Sequence, residues 1–140
     1  KTKKPKNKNT YMGVGILKKG QKILLVKNNR GLLSGLWGLP AVEGSNPAEA
    51  KKNLLKAIDD DYDLKINKCK KLGEETHLFT HRTWKMAIYD MEVSLETAEF
   101  HMGEGLGDYE REVAWQSKNK LNDYAISTAF QKVLNKFVES

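Results

Sequence analysis

The run Gly35-Leu36-Trp37-Gly38-Leu39-Pro40, with Asn46-Pro47-Ala48-Glu49-Ala50 shortly after it, sets the architecture of this chain. Gly31, Gly35 and Gly38 supply backbone angles that other residues avoid, while Leu36, Trp37 and Leu39 demand burial; residues 31–40 therefore form a structured loop. Asn46 suits a helix cap, Pro47 the first helical position, and Glu49 the place from which a capping-box carboxylate reaches back to the Asn46 amide. Ala50, Leu54, Ala57 and Ile58 then recur at helical spacing. Asp59-Asp60-Asp61 lie beside the negative end of that helix dipole, which predicts that the helix stops there with the acids in water.

Before the loop, residues 11–17 and 23–27 read as two strands of a hairpin joined across Lys18-Lys19-Gly20-Gln21-Lys22. Beyond the helix, residues 65–79 and 83–93 read as strands on either side of Thr80-His81-Arg82. The second of these does not alternate cleanly, which implies cover on both faces or a bulge. Gly103, Gly105 and Gly107 break the chain before a short strand at residues 111–116 containing Val113 and Trp115. Ile126, Ala129, Phe130, Val133, Leu134 and Phe137 keep helical spacing at the end, with Lys132 and Lys136 toward the carbonyl end of that helix. The class is α+β: a mixed or antiparallel sheet packed between helices, which buries both helical stripes.

A length of 140 residues fits one domain, and 39% hydrophobic with 30% charged residues excludes global disorder. No apolar run approaches the roughly 18 residues of a membrane-spanning helix. Cys69 is the single cysteine, so there is no internal disulfide framework, and it cannot alone hold zinc or an iron–sulfur cluster. A reducing, cytoplasmic compartment fits this usage. Without an initiator Met or a secretory pattern, the chain reads as a piece of a longer one.

The charge is uneven: 24 basic residues face 18 acidic ones for a net of +6, but Lys1, Lys3, Lys4, Lys6 and Lys8 all fall in the first ten residues. Without those five lysines, 19 basic residues face 18 acidic ones, a net of +1. Residues 1–10 therefore read as a basic interdomain linker, and residues 11–140 as the folded domain. The linker is either a phosphate-contacting arm or a solvated tail.

The segment His77-Leu78-Phe79-Thr80-His81-Arg82-Thr83-Trp84 is the richest in chemistry. Hydroxyls and imidazoles at a strand-to-strand turn can hydrogen-bond base edges while an aromatic fills or wedges; the alternative is that Phe79 and Trp84 are core residues. Trp37 and Trp115 carry the same choice between stacking on a base or partner and packing. Lys27-Asn28-Asn29-Arg30 is a basic turn able to touch phosphates, or a plain exposed turn. No nucleophilic triad and no phosphate-binding glycine loop of the Walker type occurs.

Gly38-Leu39-Pro40 followed by a helix resembles the Nudix fold, whose pyrophosphohydrolases place several carboxylates on that helix to hold Mg²⁺ against a diphosphate. In that alignment the expected glutamate is Gly44, the Arg-Glu pair is Lys52-Asn53 and the Glu-Glu pair is Lys56-Ala57. Every ligand is replaced, leaving Glu43, Glu49 and Asp59 as the carboxylates a divergent nucleotide diphosphate hydrolase would have to use. Together, Gly35-Leu36-Trp37-Gly38-Leu39-Pro40, Phe79-Thr80-His81 and Leu121-Asn122-Asp123-Tyr124-Ala125, in this order and spacing, resemble the C-terminal domain of the MutY family of adenine DNA glycosylases. The resemblance implies a Nudix-like fold without Nudix catalysis. It also implies base-excision repair: recognition of 8-oxoguanine mispaired with adenine in double-stranded DNA, by a domain that positions an N-terminal catalytic domain absent here.

The family's Phe-Ser-His loop falls on Phe79, Thr80 and His81, with Thr80 keeping the hydroxyl and adding a methyl. The resemblance assigns no catalytic or metal-binding residue to this chain, and candidate contacts to the DNA backbone are Lys3, Lys4, Lys6, Arg30 and Arg82. It places a [4Fe-4S] cluster in the missing N-terminal part, no cofactor in this part, and a monomer acting beside the bacterial chromosome. A third reading is a general interaction module using Trp37 or Trp115.

Overall fold

The computed structural model describes residues 8–28, 33–95 and 111–138, the side chain of Arg111 excepted. The elements run β1 (Lys8–Lys19), β2 (Lys22–Asn28), β3 (Trp37–Gly38), β4 (Ala41–Gly44), α1 (Pro47–Tyr62), β5 (Ile66–Leu78), β6 (Arg82–Val93), β7 (Arg111–Ser117), a 3-10 helix (Lys118–Asp123) and α2 (Thr128–Phe137). β1 starts at Lys8, so Lys8, Asn9 and Thr10 of the basic stretch are strand residues, and Thr10 is buried.

β1 and β2 form the expected hairpin, but they stay paired only near its turn, at Lys18↔Ile23 and Lys19↔Lys22. The strands then diverge. β7 runs antiparallel along one whole edge of β2, so β3, paired at Val26 and Lys27, takes the edge that β1 has left. β4 pairs with β1 from Tyr11 to Val14, and Gly15 N–H donates to the Pro40 carbonyl at 2.9 Å. The Gly-rich segment is thus the wedge between the two splayed strands. On the other edge of β1, β6 runs parallel from Lys8↔Arg82 to Lys18↔Glu92, and β5 closes that side antiparallel to β6. The sheet is mixed, as expected.

Two apolar clusters sit on its two faces. α1 contributes Leu54, Ile58 and Tyr62 to one, with Ala87, Tyr89, Met91 and Val93; α2 contributes Phe130, Val133 and Leu134 to the other, with Val14, Ile16, Met86 and Ile88. β6 therefore feeds both cores with alternate residues, which is why it lacks a polar face. Full burial of each large aliphatic side chain contributes roughly 1.5–3 kcal/mol. α1 can lie this close because Gly13 has no Cβ: one there would stand 2.8 Å from the Ala50 carbonyl oxygen. Gly38 likewise leaves room for the Phe130 ring, two of whose carbons would meet an added Cβ at 2.7 and 3.2 Å.

Three local expectations change. α1 does not stop at Asp59 but continues through the three exposed acids to Tyr62, because Tyr62 lies one turn beyond Ile58 and is buried; Asp63, at φ 52°, ends it. Asn46 Oδ1 caps the Glu49 amide at 2.8 Å, but the Glu49 carboxylate accepts from the Ser45 amide, also at 2.8 Å, rather than from Asn46. Ile126 precedes α2: it forms an isolated parallel bridge with Trp37 and is buried there, so its place in the helical spacing is coincidental.

β5 carries register shifts between Ile66 and Lys68 and between Lys71 and Gly73. The second decides the site. Cys69 and Lys71 pair with Met91 and Tyr89, on the α1 side, whereas Gly73, Glu75 and His77 pair with Ile88, Met86 and Trp84, on the α2 side. One extra residue, Leu72, turns every later side chain of β5 to the opposite face, and Leu72 itself packs into the α2-side cluster.

Candidate nucleic-acid interface

The β5–β6 connection is a two-residue turn. Leu78 pairs with Thr83, Phe79 N–H donates to the Arg82 carbonyl at 2.7 Å, and Thr80 and His81 form the tip. Thr80, His81 and Arg82 are exposed, so hydroxyl, imidazole and guanidinium leave the fold together. Phe79 goes the other way. Its ring stands edge-on to His77 at 4.6 Å and to Trp84 at 5.0 Å, and Trp84 in turn lies 5.9 Å from Phe130. This aromatic ladder connects the turn to the α2-side core, with contacts of the kind worth about 0.5–1.5 kcal/mol each beyond burial. Trp84 is a core residue, and Phe79, half-buried, packs against the same core beside the turn.

His77 completes the support. Its Nδ1 is buried without a hydrogen-bond partner, and burial first, then the charge of Lys132, push its pKa below the ordinary imidazole value. Both causes disfavour the charged ring beside Phe79.

Lys8, the last of the N-terminal lysines, joins the fold at the same place. Lys8 is in register with Arg82, and the Lys8 amide donates to the His81 carbonyl at 3.3 Å. Of the other candidate phosphate contacts, Lys3, Lys4, Lys6 and Arg30 lie outside the described residues. Beside the turn a cleft of about 420 Å³ opens among Thr10, Asn28, Leu39, Arg82, Trp84 and Phe130. The Thr10 hydroxyl is buried there without a partner. The sequence carries no signal for the burial of Thr10, which falls in a polar stretch, or for the 68% exposure of Leu78 at the end of β5.

The residues of α1 do not fit a Mg²⁺ site. Lys52 and Lys56 are exposed, and Asn53 Nδ2 donates to the Glu43 carbonyl at 3.0 Å, using that position to tie α1 to β4. Glu49 is engaged as a cap; the hydrogen bonds from Ser45 hold its carboxyl below the usual carboxylate range. Asp59 is exposed at the far end of α1. Among the described residues no three His, Cys, Asp or Glu are grouped to hold a metal ion.

Both remaining tryptophans are packed. Trp37 stands edge-on to Tyr124 at 4.9 Å; its amide donates to the Ala125 carbonyl at 2.8 Å and its carbonyl accepts from Ser127 at 3.0 Å. The Gly-rich segment and the Leu121–Ala125 segment, far apart in sequence, are therefore one structural unit. Trp115 is half-buried against the α1-side core, with the Lys19 ammonium 5.5 Å from its ring centre.

Residues 13–136 match the family model for the NUDIX domain. The chain is 30% identical over 117 residues to human adenine DNA glycosylase, covering 81% of this chain and 20% of that protein, so it spans about a fifth of that relative's length. Among solved structures it is similar to a MutT NUDIX hydrolase from Burkholderia pseudomallei, with a TM-score of 0.71 at 17% identity over 94% of this chain and 100% of that one. It is also similar to Shewanella oneidensis NrtR complexed with a 27mer DNA, with a TM-score of 0.68 at 15% identity over 91% of this chain and 58% of that one. At these identities the structural matches establish the fold.

Proposed function

The chain belongs to the NUDIX domain family, and we propose that within it this is the lesion-reading part of an adenine DNA glycosylase, recognising 8-oxoguanine mispaired with adenine. The observation that carries the reading is the Thr80-His81 turn: two exposed polar side chains on a tip whose neighbour Phe79 is anchored by His77 and Trp84. The 30% identity to a human adenine DNA glycosylase supports the choice of parent activity. The lost helix carboxylates support a domain that binds rather than hydrolyses.

Oxidation converts guanine N7 from an acceptor to an N–H donor. A Thr80 Oγ placed at that edge accepts from the oxidised base, whereas toward normal guanine it can only donate. The hydroxyl does both, so Thr80 gives a preference rather than strict exclusion. His81 supports the turn or contacts the backbone. Arg82, Lys8 and the lysines preceding Lys8 supply phosphate attraction where the chain enters the fold. Adenine removal belongs to the N-terminal catalytic domain of the parent, which in this reading also holds a [4Fe-4S] cluster; this part carries no catalytic residue. It works as a monomer in the cytoplasm, with the chromosome.

The test is Thr80→Ala with His81→Ala in the full-length protein, assayed on duplexes with 8-oxoguanine or guanine opposite adenine. Loss of one hydroxyl hydrogen bond is worth about 0.5–1.5 kcal/mol, so preference for the oxidised base falls by roughly 2–10-fold. Unchanged discrimination sinks the assignment.

A further inference from the structure

We propose that Lys132 of α2 grips a phosphate of the duplex at the rim of the groove that the Thr80-His81 turn enters; this rests on the 8-oxoguanine reading above. An exposed lysine by itself needs no function. Lys136, in the last turn of α2, is accounted for by the helix dipole and by Glu75, whose carboxylate lies 3.8 Å away. Lys132 has neither. It stands one turn earlier in the helix, where the dipole offers little, and has no carboxylate partner among the described residues. Its charge falls instead on the His77 ring.

The place of Lys132 follows from the packing of α2. The Lys136–Glu75 pair and the Phe137 ring against Gly73 make α2 run back along β5. From Lys136 to Lys132 is one helical turn, about 6 Å. From Glu75 to His77, both on the α2 side, is two strand residues, about 7 Å. The two steps match, so Lys132 stands beside His77, toward the turn. Three residues of extended chain, about 10 Å, separate His77 from Thr80. The N7 edge of guanine faces the major groove, which is about 8.5 Å deep and admits a two-stranded ribbon. With the Thr80 hydroxyl at that edge, a cation beside His77 is therefore level with the phosphates at the rim. Lys8 and Arg82 stand in the sheet at the same end and Lys132 on its α2 face, so cations meet the backbone from two sides.

The experiment measures binding of the full-length protein to 8-oxoguanine:adenine and guanine:adenine duplexes across a salt series. Each phosphate contact contributes about 0.9 to the slope of log affinity against log salt. Lys132→Gln, which keeps the fold because the side chain is exposed, lowers the slope by that amount, so its affinity deficit shrinks about 3.5-fold between about 50 and 200 mM salt. Both duplexes weaken alike, and the preference for 8-oxoguanine stays. Lys132→Arg keeps the wild-type slope, and Lys136→Gln, whose charge is held by Glu75, leaves it nearly unchanged. An unchanged slope in Lys132→Gln, an equal loss in Lys132→Arg, or a loss confined to the oxidised duplex overturns the proposal. A wild type that binds both duplexes without preference overturns the underlying reading instead, and the slopes then decide Lys132 on their own; no duplex binding overturns both.

Discussion

Replacing Phe79 by Ala separates the two roles open to this side chain. If Phe79 anchors the turn, the variant loses its edge contacts to His77 at 4.6 Å and Trp84 at 5.0 Å and part of its burial against the α2-side core. A fully buried Phe→Ala change costs about 3–5 kcal/mol. Phe79 is half-buried, so about half of that, roughly 1.5–2.5 kcal/mol, is the expected loss. With a urea dependence of about 1–3 kcal/mol per molar, the unfolding midpoint falls by on the order of 1 M. Lesion preference falls as well, because Thr80 and His81 are no longer held on a rigid tip. Phe79→Leu, which keeps most of the apolar volume, recovers much of the midpoint. Urea titration followed by tryptophan fluorescence, paired with duplex binding, makes the measurement. An unchanged midpoint together with abolished lesion preference refutes the anchor: Phe79 would then act on the DNA itself.

Gly38→Ala puts a methyl against the ring of Phe130, which is 1% exposed, so overpacking costs about 1–3 kcal/mol; combining it with Phe130→Leu should cost less than the two single losses added, a coupling that a double-mutant cycle in urea detects. His77 has a folded-state pKa below its unfolded value because burial and Lys132 disfavour the charged ring. As pH falls below the ordinary imidazole range, about 6.5, the unfolded chain takes the proton first, and stability drops until the folded ring also protonates. His77→Phe should flatten that part of the pH profile, measured as urea midpoints from pH 8 to 5 (about 1.5 units either side of the ordinary value).

Much of the fold is legible because its signals are local. The Asn46-Pro47-Glu49 start, the α1 stripe and the β1–β2 hairpin follow from capping geometry, periodicity and turn chemistry within a few residues. What escaped is long-range. The three acids near the end of α1 are unfavourable there, but burial of Tyr62 one turn beyond Ile58 outweighs them. Ile126 keeps helical spacing yet belongs to a bridge with Trp37, a contact no periodicity reveals. The replacement of the helix carboxylates is also local information, since Lys52, Asn53 and Lys56 stand in the chain where the resemblance to Nudix hydrolases would need them.

The division of labour at the turn was hidden for a definite reason. Alternation continued without interruption from Cys69 and Lys71, which pair on the α1 side, puts Phe79 on that face and Leu78 on the face that meets the Trp84 core. On that parity Phe79 is the natural wedge. The shift between Lys71 and Gly73 reverses it: Phe79 enters the core, Leu78 leaves it, and Thr80-His81 stand on a tip braced from one side only. A bulge of one residue carries no strong sequence mark, and Leu72-Gly73 is a weak one at best. The bulge at Leu72, several positions from the candidate interface, thus decides which side chain of the turn enters the core. The identity of the Phe79-Thr80-His81 motif is therefore local information, while the direction in which each of its side chains faces is set by the register of the strand that delivers it.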